Sequence, residues 1–451
     1  MKRLFGTDGI RGVANAELTP ELAFDVGRAL AAILAHAGDA RRPVFVGRDT
    51  RLSGTMLEGA IVAGITSAGR DVTLLGILPT PAVAFLTRHE GAAAGIVISA
   101  SHNPIGDNGI KLFGPDGFKF SDAFEREVET SVGSSQLPRP TGTGVGIAKL
   151  AQNVGRHYYR HLYEAGVDLH GLHVVLDAAY GAAYAVAPYA LRKLGAIVTE
   201  LHCESDGARI NVACGATDLA LLQAAVRERI EAGDDRVVGV AFDGDADRAL
   251  FVDETGTVVS GDHVMYAIGS AMQATGELER DTIVGTVMSN LGFERALSER
   301  GIALVRAPVG DRFVLEYMRE GGFALGGEQS GHVIDLRHST TGDGPAIAMT
   351  LLRLMVEQEA TLHELVAPIQ SVPQILLNVR AQRPEVLSSD AIRSAIAEGE
   401  AELAGVGRLF VRASGTEPLI RVMAEGDDGP LIERVAARVA ARIGEEIQRW
   451  A

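Results

Sequence analysis

Two cysteines, Cys203 and Cys214, are all the thiol chemistry that 451 residues contain. So small a supply excludes a disulfide framework and points to a reducing compartment, the cytoplasm. Positive charge is also short: 42 Lys and Arg against 58 Asp and Glu leave a formal net charge of −16. That balance argues against nucleic acid or an anionic membrane as a main partner. A small anionic substrate stays compatible, because a cleft can be locally basic. Long apolar runs are missing too. The start, "MKRLFGTDGIRG", has no apolar signal-peptide core. No uninterrupted stretch is long enough to span a bilayer, despite abundant Ala and Val.

What is present fits a globular protein: 47% apolar and 22% charged residues. The length predicts three or four domains rather than one core. Short apolar runs end in Gly, Asp or Asn and lead into Ala/Leu-rich helical segments, the pattern of α/β layers with largely parallel strands. One theme recurs three times. "RPVFVGRDTRLSG", "LHVVLDAAYGAA" and "DTIVGTVMSNLGF" each give strand, polar loop and helix start. A second strand follows each, and a third apolar run then meets a polar loop: "IVISASHNP", "VGVAFDGDADR" and "FALGGEQSGH". Three matches in one order predict one α/β unit used three times. Composition breaks place these units at 1–150, 151–256 and 257–370, with a smaller α+β tail at 371–451. The expected fold is three similar mixed-sheet α/β domains plus that tail, around a central cleft.

The loops carry the chemistry. In "FDGDADR", Asp243, Asp245 and Asp247 alternate after a strand. Carboxylates brought that close repel one another unless a cation sits among them, and oxygen-only ligands suit Mg²⁺ or Ca²⁺. A solvated acidic turn is the plain alternative. An EF-hand would close on Glu254, but Arg248 stands where that loop needs Gly. A phosphatase with an aspartate nucleophile stays open on this loop alone. In "ISASHNP", Ser101 stands beside His102, with Lys111 ten residues on. Neighbours in extended chain point apart, so a Ser101–His102 nucleophile–base pair is not expected, and no G-x-S-x-G elbow surrounds the serine. A plain turn is one reading. A phosphate on an exposed Ser101, reaching both the carboxylates and Lys111, is the other. "GGEQSGH" offers Glu328 and Ser330 for vicinal hydroxyls and His332 for a phosphate or a proton. In the tail, "RASGTEPLIR" combines Arg412, Ser414, Gly415, Thr416 and Arg421, the ingredients of a phosphate cradle. Arg11, in "FGTDGIRG", is a weaker signal.

In this order, "SASHNP", "DGDADR", "GEQSGH" and "RASGTEP" resemble the α-D-phosphohexomutase superfamily, and the resemblance runs the length of the chain. "GEQSGH", "VGDR" (Val309 to Arg312) and "CGATD" (Cys214 to Asp218) look most like its bacterial amino-sugar branch. The glucose and mannose branch more often has Met at the place of Gln329. The resemblance implies a phosphoserine at Ser101, and Mg²⁺ on Asp243, Asp245, Asp247 and a phosphoserine oxygen. It implies charge near the transfer point from Arg11, Lys111 and Arg248. It also implies substrate contacts from His102, Glu328, Ser330, His332 and the Arg412 loop. Glucosamine 6-phosphate and glucosamine 1-phosphate would interconvert through glucosamine 1,6-bisphosphate, supplying UDP-N-acetylglucosamine for the cell wall. The expected partner is a hexosamine phosphate, and a homodimer is the candidate assembly.

Overall fold

The computed structural model describes residues 3–36, 42–164, 167–414 and 418–450. The chain forms two compact units, one of Met1–Thr286 with Ala307–Ala367 and one of Val287–Arg306 with Pro368–Ala451. No helix among the described residues is long and apolar enough to cross a membrane.

In the first unit each recurring sequence theme builds part of a mixed sheet. The first sheet has Val44–Arg48 and Ala94–Ile98 side by side and parallel. Strand Asp107–Phe113 returns antiparallel to Ala94–Ile98, and Gly9–Val13 pairs with its other edge. Helices Pro20–His36 and Gly54–Ser67 bury Val26, Leu30, Leu57 and Ile61 with strand residues Val46, Ile96 and Ile98. The two helices meet backbone to backbone at Gly64, where a Cβ would stand 2.1 Å from the Phe24 carbonyl oxygen. Only a residue without that carbon permits the approach.

The second sheet repeats the plan. His173–Asp177 and Val237–Phe242 are parallel, and Ala249–Val252 returns antiparallel. In the third theme, Thr282–Thr286 and Leu325–Gly327 are parallel and Val333–Asp335 returns antiparallel. Antiparallel pairing is therefore as prominent as parallel pairing, where the sequence reading weights the sheets toward parallel. The reason is local. Each polar loop joins hairpin neighbours, which need only a few residues, whereas a parallel crossover needs a helix. The geometry of all three loops follows: each hangs between the C-terminal end of a parallel strand and its antiparallel return.

The second unit carries the α+β tail. Leu419–Gly426 is the central strand, antiparallel to both Gln374–Arg380 and Gly407–Ala413. Alternation decides its faces. Ile420, Val422 and Ala424 are buried with Leu409 of strand Gly407–Ala413 and with Ile392, Leu403, Val435 and Val439 from the helices Asp390–Leu403 and Gly429–Trp450. The opposite face presents Arg412 directly across from Arg421, and Arg408 across from Glu425.

Candidate active site

Ser101 ends the run from strand Ala94–Ile98, and it is 1% exposed. The sequence reading put it on an exposed loop with its side chain turned away from His102. The structure corrects both points for one reason. Ser101 has φ +52°, in the left-handed region, so the chain there is not extended. That turn brings the His102 Nδ1 to 3.3 Å from Ser101 Oγ, while Oγ donates to Asp243 Oδ2 at 2.5 Å.

Buried charge holds this turn. The Arg51 guanidinium, wholly enclosed, donates to the carbonyls of Ser101 (2.9 Å), Asn103 (2.8 Å), Pro104 (2.6 Å) and Asp107 (3.0 Å). Its Nε donates to Asp49 Oδ2 at 3.0 Å, which also accepts from Ser99 Oγ at 2.6 Å. Asn211 adds an amide bond to the Ser101 carbonyl at 2.8 Å. Burial, countered by Arg51 and Ser99, pushes the Asp49 carboxyl up to about 6. Sequence reading missed Asp49 and Arg51, although both stand in the quoted "GRDTRLSG". Their spacing gave no sign that a guanidinium would serve four carbonyls of a loop fifty residues away.

Asp243, Asp245 and Asp247 are 0%, 0% and 4% exposed, and one oxygen from each lies within 4.8 Å of the others. Gly244 lets the two loops touch, since a Cβ there would meet the Ser101 carbonyl oxygen at 2.7 Å. Lys111 Nζ bonds Asp245 Oδ2 at 2.9 Å and Asp247 Oδ2 at 3.1 Å, and reaches Asp8 at 3.0 Å. Thr80 donates its hydroxyl to Asp245 and its backbone N–H to the Asp245 carbonyl. Two buried oxygens, Asp245 Oδ1 and Asp247 Oδ1, have no hydrogen-bond partner. Burial, with Asp247 and Asp245 adding repulsion, pushes the Asp243 carboxyl up to about 8. Three buried carboxylates with unsatisfied oxygens and only oxygen donors fit a hard divalent cation.

Cations ring the cluster. Burial would lower the Lys111 ammonium, yet Asp245, Asp247 and Asp8 together hold it well above its usual value. Arg11 bonds Asn103 Oδ1 at 3.0 Å and also pairs with Asp8. Arg248 donates its backbone N–H to Asp243 Oδ1 at 3.3 Å, with Nε 3.9 Å from Asp247. Burial, then Arg248 and Arg11, lowers the His102 imidazole to about 3, so it is neutral at working pH. Asp8, in "FGTDGIRG", also escaped the sequence reading. It links Lys111, Arg11 and Lys119, and Lys119 in turn pairs with Asp311 of "VGDR".

The third loop lies against the second. The Gly331 carbonyl accepts from the N–H of Ala249, just past Arg248. His332 is buried, with Nδ1 3.6 Å from Asp247 Oδ1 and Nε2 accepting from the Gly342 N–H at 3.2 Å. That acceptor role puts the ring proton on Nδ1, facing the carboxylate. Glu328 and Ser330 are partly exposed, and Glu328 Oε1 accepts from the Gly310 N–H at 3.0 Å. The "GEQSGH" and "VGDR" loops are thus stitched together.

In the second unit, Arg412 and Arg421 are opposite partners on adjacent strands, and the Ser414 N–H bonds the Leu419 carbonyl at 2.8 Å to close the loop. Gly415 and Thr416 lie outside the described residues.

The site and fold define a phosphoryl-transfer enzyme of the sugar-phosphate mutase class, and the chain belongs to the phosphoglucomutase/phosphomannomutase family. Family models match as alpha/beta/alpha domain I over residues 2–138, domain II over 156–256 and domain III over 260–372. The family's C-terminal domain matches over 376–442. Curated relatives carry the name phosphoglucosamine mutase. One from Saccharopolyspora erythraea is 51% identical, covering 98% of each chain. Another, from Symbiobacterium thermophilum, is 50% identical, covering 99% of this chain and 100% of its own. Among solved structures, a phosphoglucomutase/phosphomannomutase family protein from Burkholderia thailandensis matches with TM-score 0.84 at 24% identity, covering 99% and 98%. N-acetylphosphoglucosamine mutase from Aspergillus fumigatus, in complex with GlcNAc-6P and magnesium, matches with TM-score 0.67 at 17% identity, covering 98% and 96%.

Proposed function

We propose that the chain interconverts glucosamine 6-phosphate and glucosamine 1-phosphate, with Ser101 as the phosphoryl carrier and glucosamine 1,6-bisphosphate as the intermediate. The observation that carries the reading is the contact of Ser101 Oγ with Asp243 inside a buried, cation-ringed carboxylate cluster. Magnesium, held by Asp243, Asp245, Asp247 and a phosphoserine oxygen, would neutralise charge and polarise the transferring phosphoryl group.

The chain's own residues set the rest. A phosphate on Ser101 adds a charge of about −1.5 to −2 beside three carboxylates. Lys111, Arg11 and Arg248 answer that charge without needing to move far. Forward transfer breaks the bond between phosphorus and Ser101 Oγ as a bond to sugar O1 forms, and the O1 proton is passed on so that Ser101 is left as the hydroxyl. After the bisphosphate turns end for end, Ser101 Oγ bonds the 6-phosphorus, the bond from that phosphorus to sugar O6 breaks, the serine proton ends on O6, and glucosamine 1-phosphate departs. Phosphoryl transfer of this kind depends on positioning and charge neutralisation, which a turn fixed by Arg51 supplies. Arg412 and Arg421 are the proposed grip for whichever phosphate is not reacting. Arg412 and Arg421 are opposite partners on adjacent strands, and two guanidinium forks side by side match the oxygens of a phosphate. Glu328 and Ser330 would hold sugar hydroxyls, and His102 and His332 would flank the phosphoryl group and its carboxylate cage. The two thiols, both free, support a cytoplasmic setting.

A panel of hexose 6-phosphates, supplied with catalytic bisphosphate and Mg²⁺, tests the reading. Glucosamine 6-phosphate should give the highest kcat/KM. A clear preference for glucose or mannose phosphates would reassign the substrate and leave the phosphoserine chemistry standing.

A further inference from the structure

Away from the carboxylate cluster, two helices of the first unit bring three further ligand types together at the surface. Helix Thr80–His89 ends in His89, and Glu90 caps it. Helix Gly155–Glu164 presents His157 and, one turn on, His161. One donor atom from each of His89, Glu90 and His157 lies within 4.8 Å of the others. Glu90 Oε1 stands 2.8 Å from His89 Nδ1 and also contacts His157 Nδ1. The rings are held in place. Phe85 stacks on His89 at 5.2 Å and on His161 at 4.5 Å, and the His89 and His157 rings are 5.1 Å apart. All three donors are partly open to solvent, with side-chain exposures of 50%, 26% and 42% for His89, Glu90 and His157.

We infer that His89, Glu90 and His157 form a second cation site, for a borderline transition ion such as Zn²⁺. Two imidazole nitrogens and one carboxylate are the donor set that Zn²⁺ accepts with a solvent ligand in the fourth position. Zinc bonds of about 2.0–2.2 Å place donor pairs within roughly 4 Å of one another, and the three donor atoms here already lie within 4.8 Å. Neutral imidazoles offer their Nδ1 lone pairs to an ion, whereas two ring N–H donors otherwise crowd one carboxylate oxygen. Chemistry separates the site from the catalytic cluster, whose donors are all oxygen and which suits a harder ion.

A second three-residue grouping, Asp177, His202 and Cys214, shows what a poor site looks like. Asp177 already accepts backbone N–H bonds from Ala179 and Gly215. Burial, with Asp177 adding repulsion, pushes the Cys214 thiol up to about 12, away from the thiolate a metal needs.

The position gives the site a consequence. His89 and Glu90 belong to the span matched by the family's domain I, and His157 to domain II. An ion there ties helix Thr80–His89 to helix Gly155–Glu164. The other end of the first helix is Thr80, which bonds Asp245. The ion is therefore a clamp across two domains, one helix length from the carboxylates.

The test titrates zinc sulfate into the full chain in saturating Mg²⁺, followed by calorimetry. Wild type, His157→Ala and Asp245→Asn are compared, with melting curves in chelator confirming that each variant is folded. Wild type and Asp245→Asn should each take up one equivalent of Zn²⁺. The affinity of His157→Ala should fall by at least about tenfold. Bound Zn²⁺ should raise the Tm of wild type and not of His157→Ala. No uptake by wild type, the same isotherm in His157→Ala, or loss confined to Asp245→Asn would overturn the site.

Discussion

The loop that carries Ser101 is held by buried charge, whereas the strand ends that carry Arg412 and Arg421 hold charge at a partly exposed edge. Both are turn sequences of small polar residues, and both are proposed to meet phosphate. At Ser101 the surroundings are finished before a ligand arrives: Arg51 spans four carbonyls, and Asp243 already accepts a hydrogen bond from the hydroxyl. At Arg412 and Arg421 two like charges face each other across a strand pair. The difference matches two tasks. A group that makes and breaks bonds needs its geometry fixed in advance. A grip that must accept either end of a bisphosphate needs charge and reach more than one fixed pose.

That contrast can be broken in four places. The largest effect on rate belongs to the carboxylates. Asp245→Asn should lower kcat by roughly 10²–10³-fold, the equivalent of several kcal/mol of lost charge stabilisation. Steady-state rates in Mg²⁺ measure it, and full activity of the wild type in strict chelator would contradict the cation reading. Next is the support beneath Ser101. Arg51→Met leaves Asp49 buried without its partner and frees four carbonyls, so unfolding free energy should fall by about 3–5 kcal/mol. Urea denaturation measures that loss, and an unchanged midpoint would show the turn holds without the guanidinium.

On the other side of the comparison, Arg412→Ala should raise KM for the 6-phosphate and the 1-phosphate alike by roughly tenfold. Its Tm should change little, because the Arg412 side chain is only partly buried. Kinetics in both directions decide it: a KM change in one direction only would remove the shared grip. The last effect is in acid and leaves the rate at neutral pH untouched. His102 titrates at about 3 in the folded, unphosphorylated protein against 6.5 ordinarily. A lowered histidine contributes stability above pH 6.5 and loses it as pH falls toward about 3, because the unfolded chain takes the proton first. The pH profile of Tm in that window should be flatter for His102→Asn than for wild type. Identical profiles would mean the imidazole is not held neutral.

Much of this was legible in the sequence. The three strand–loop repeats, the mixed α/β units and the smaller α+β tail follow from apolar runs punctuated by Gly, Asp and Asn. The Asp243, Asp245 and Asp247 cluster follows from alternation after a strand. Three things did not follow. The left-handed turn at Ser101 depends on long-range bonds from Arg51 and Asn211, so local sequence reads as extended and exposed where the chain is bent and buried. Asp8, Thr80 and Lys119 reach the site from separate segments, and nothing in their immediate neighbours marks the contact. Mixed sheets were expected, but which strands return antiparallel was hidden because a hairpin partner and a parallel strand share the same apolar pattern.

The central claim is that Ser101, and no carboxylate of the cluster, carries the phosphoryl group. Its most direct test is phosphopeptide mapping of enzyme quenched after incubation with glucosamine 1,6-bisphosphate and Mg²⁺. The account predicts one phosphoryl group, stable to acid and to hydroxylamine and eliminated in strong alkali as an ester of Ser101, and none in Ser101→Ala. An acyl phosphate on Asp243 or Asp245, or labelling that survives Ser101→Ala, would contradict it.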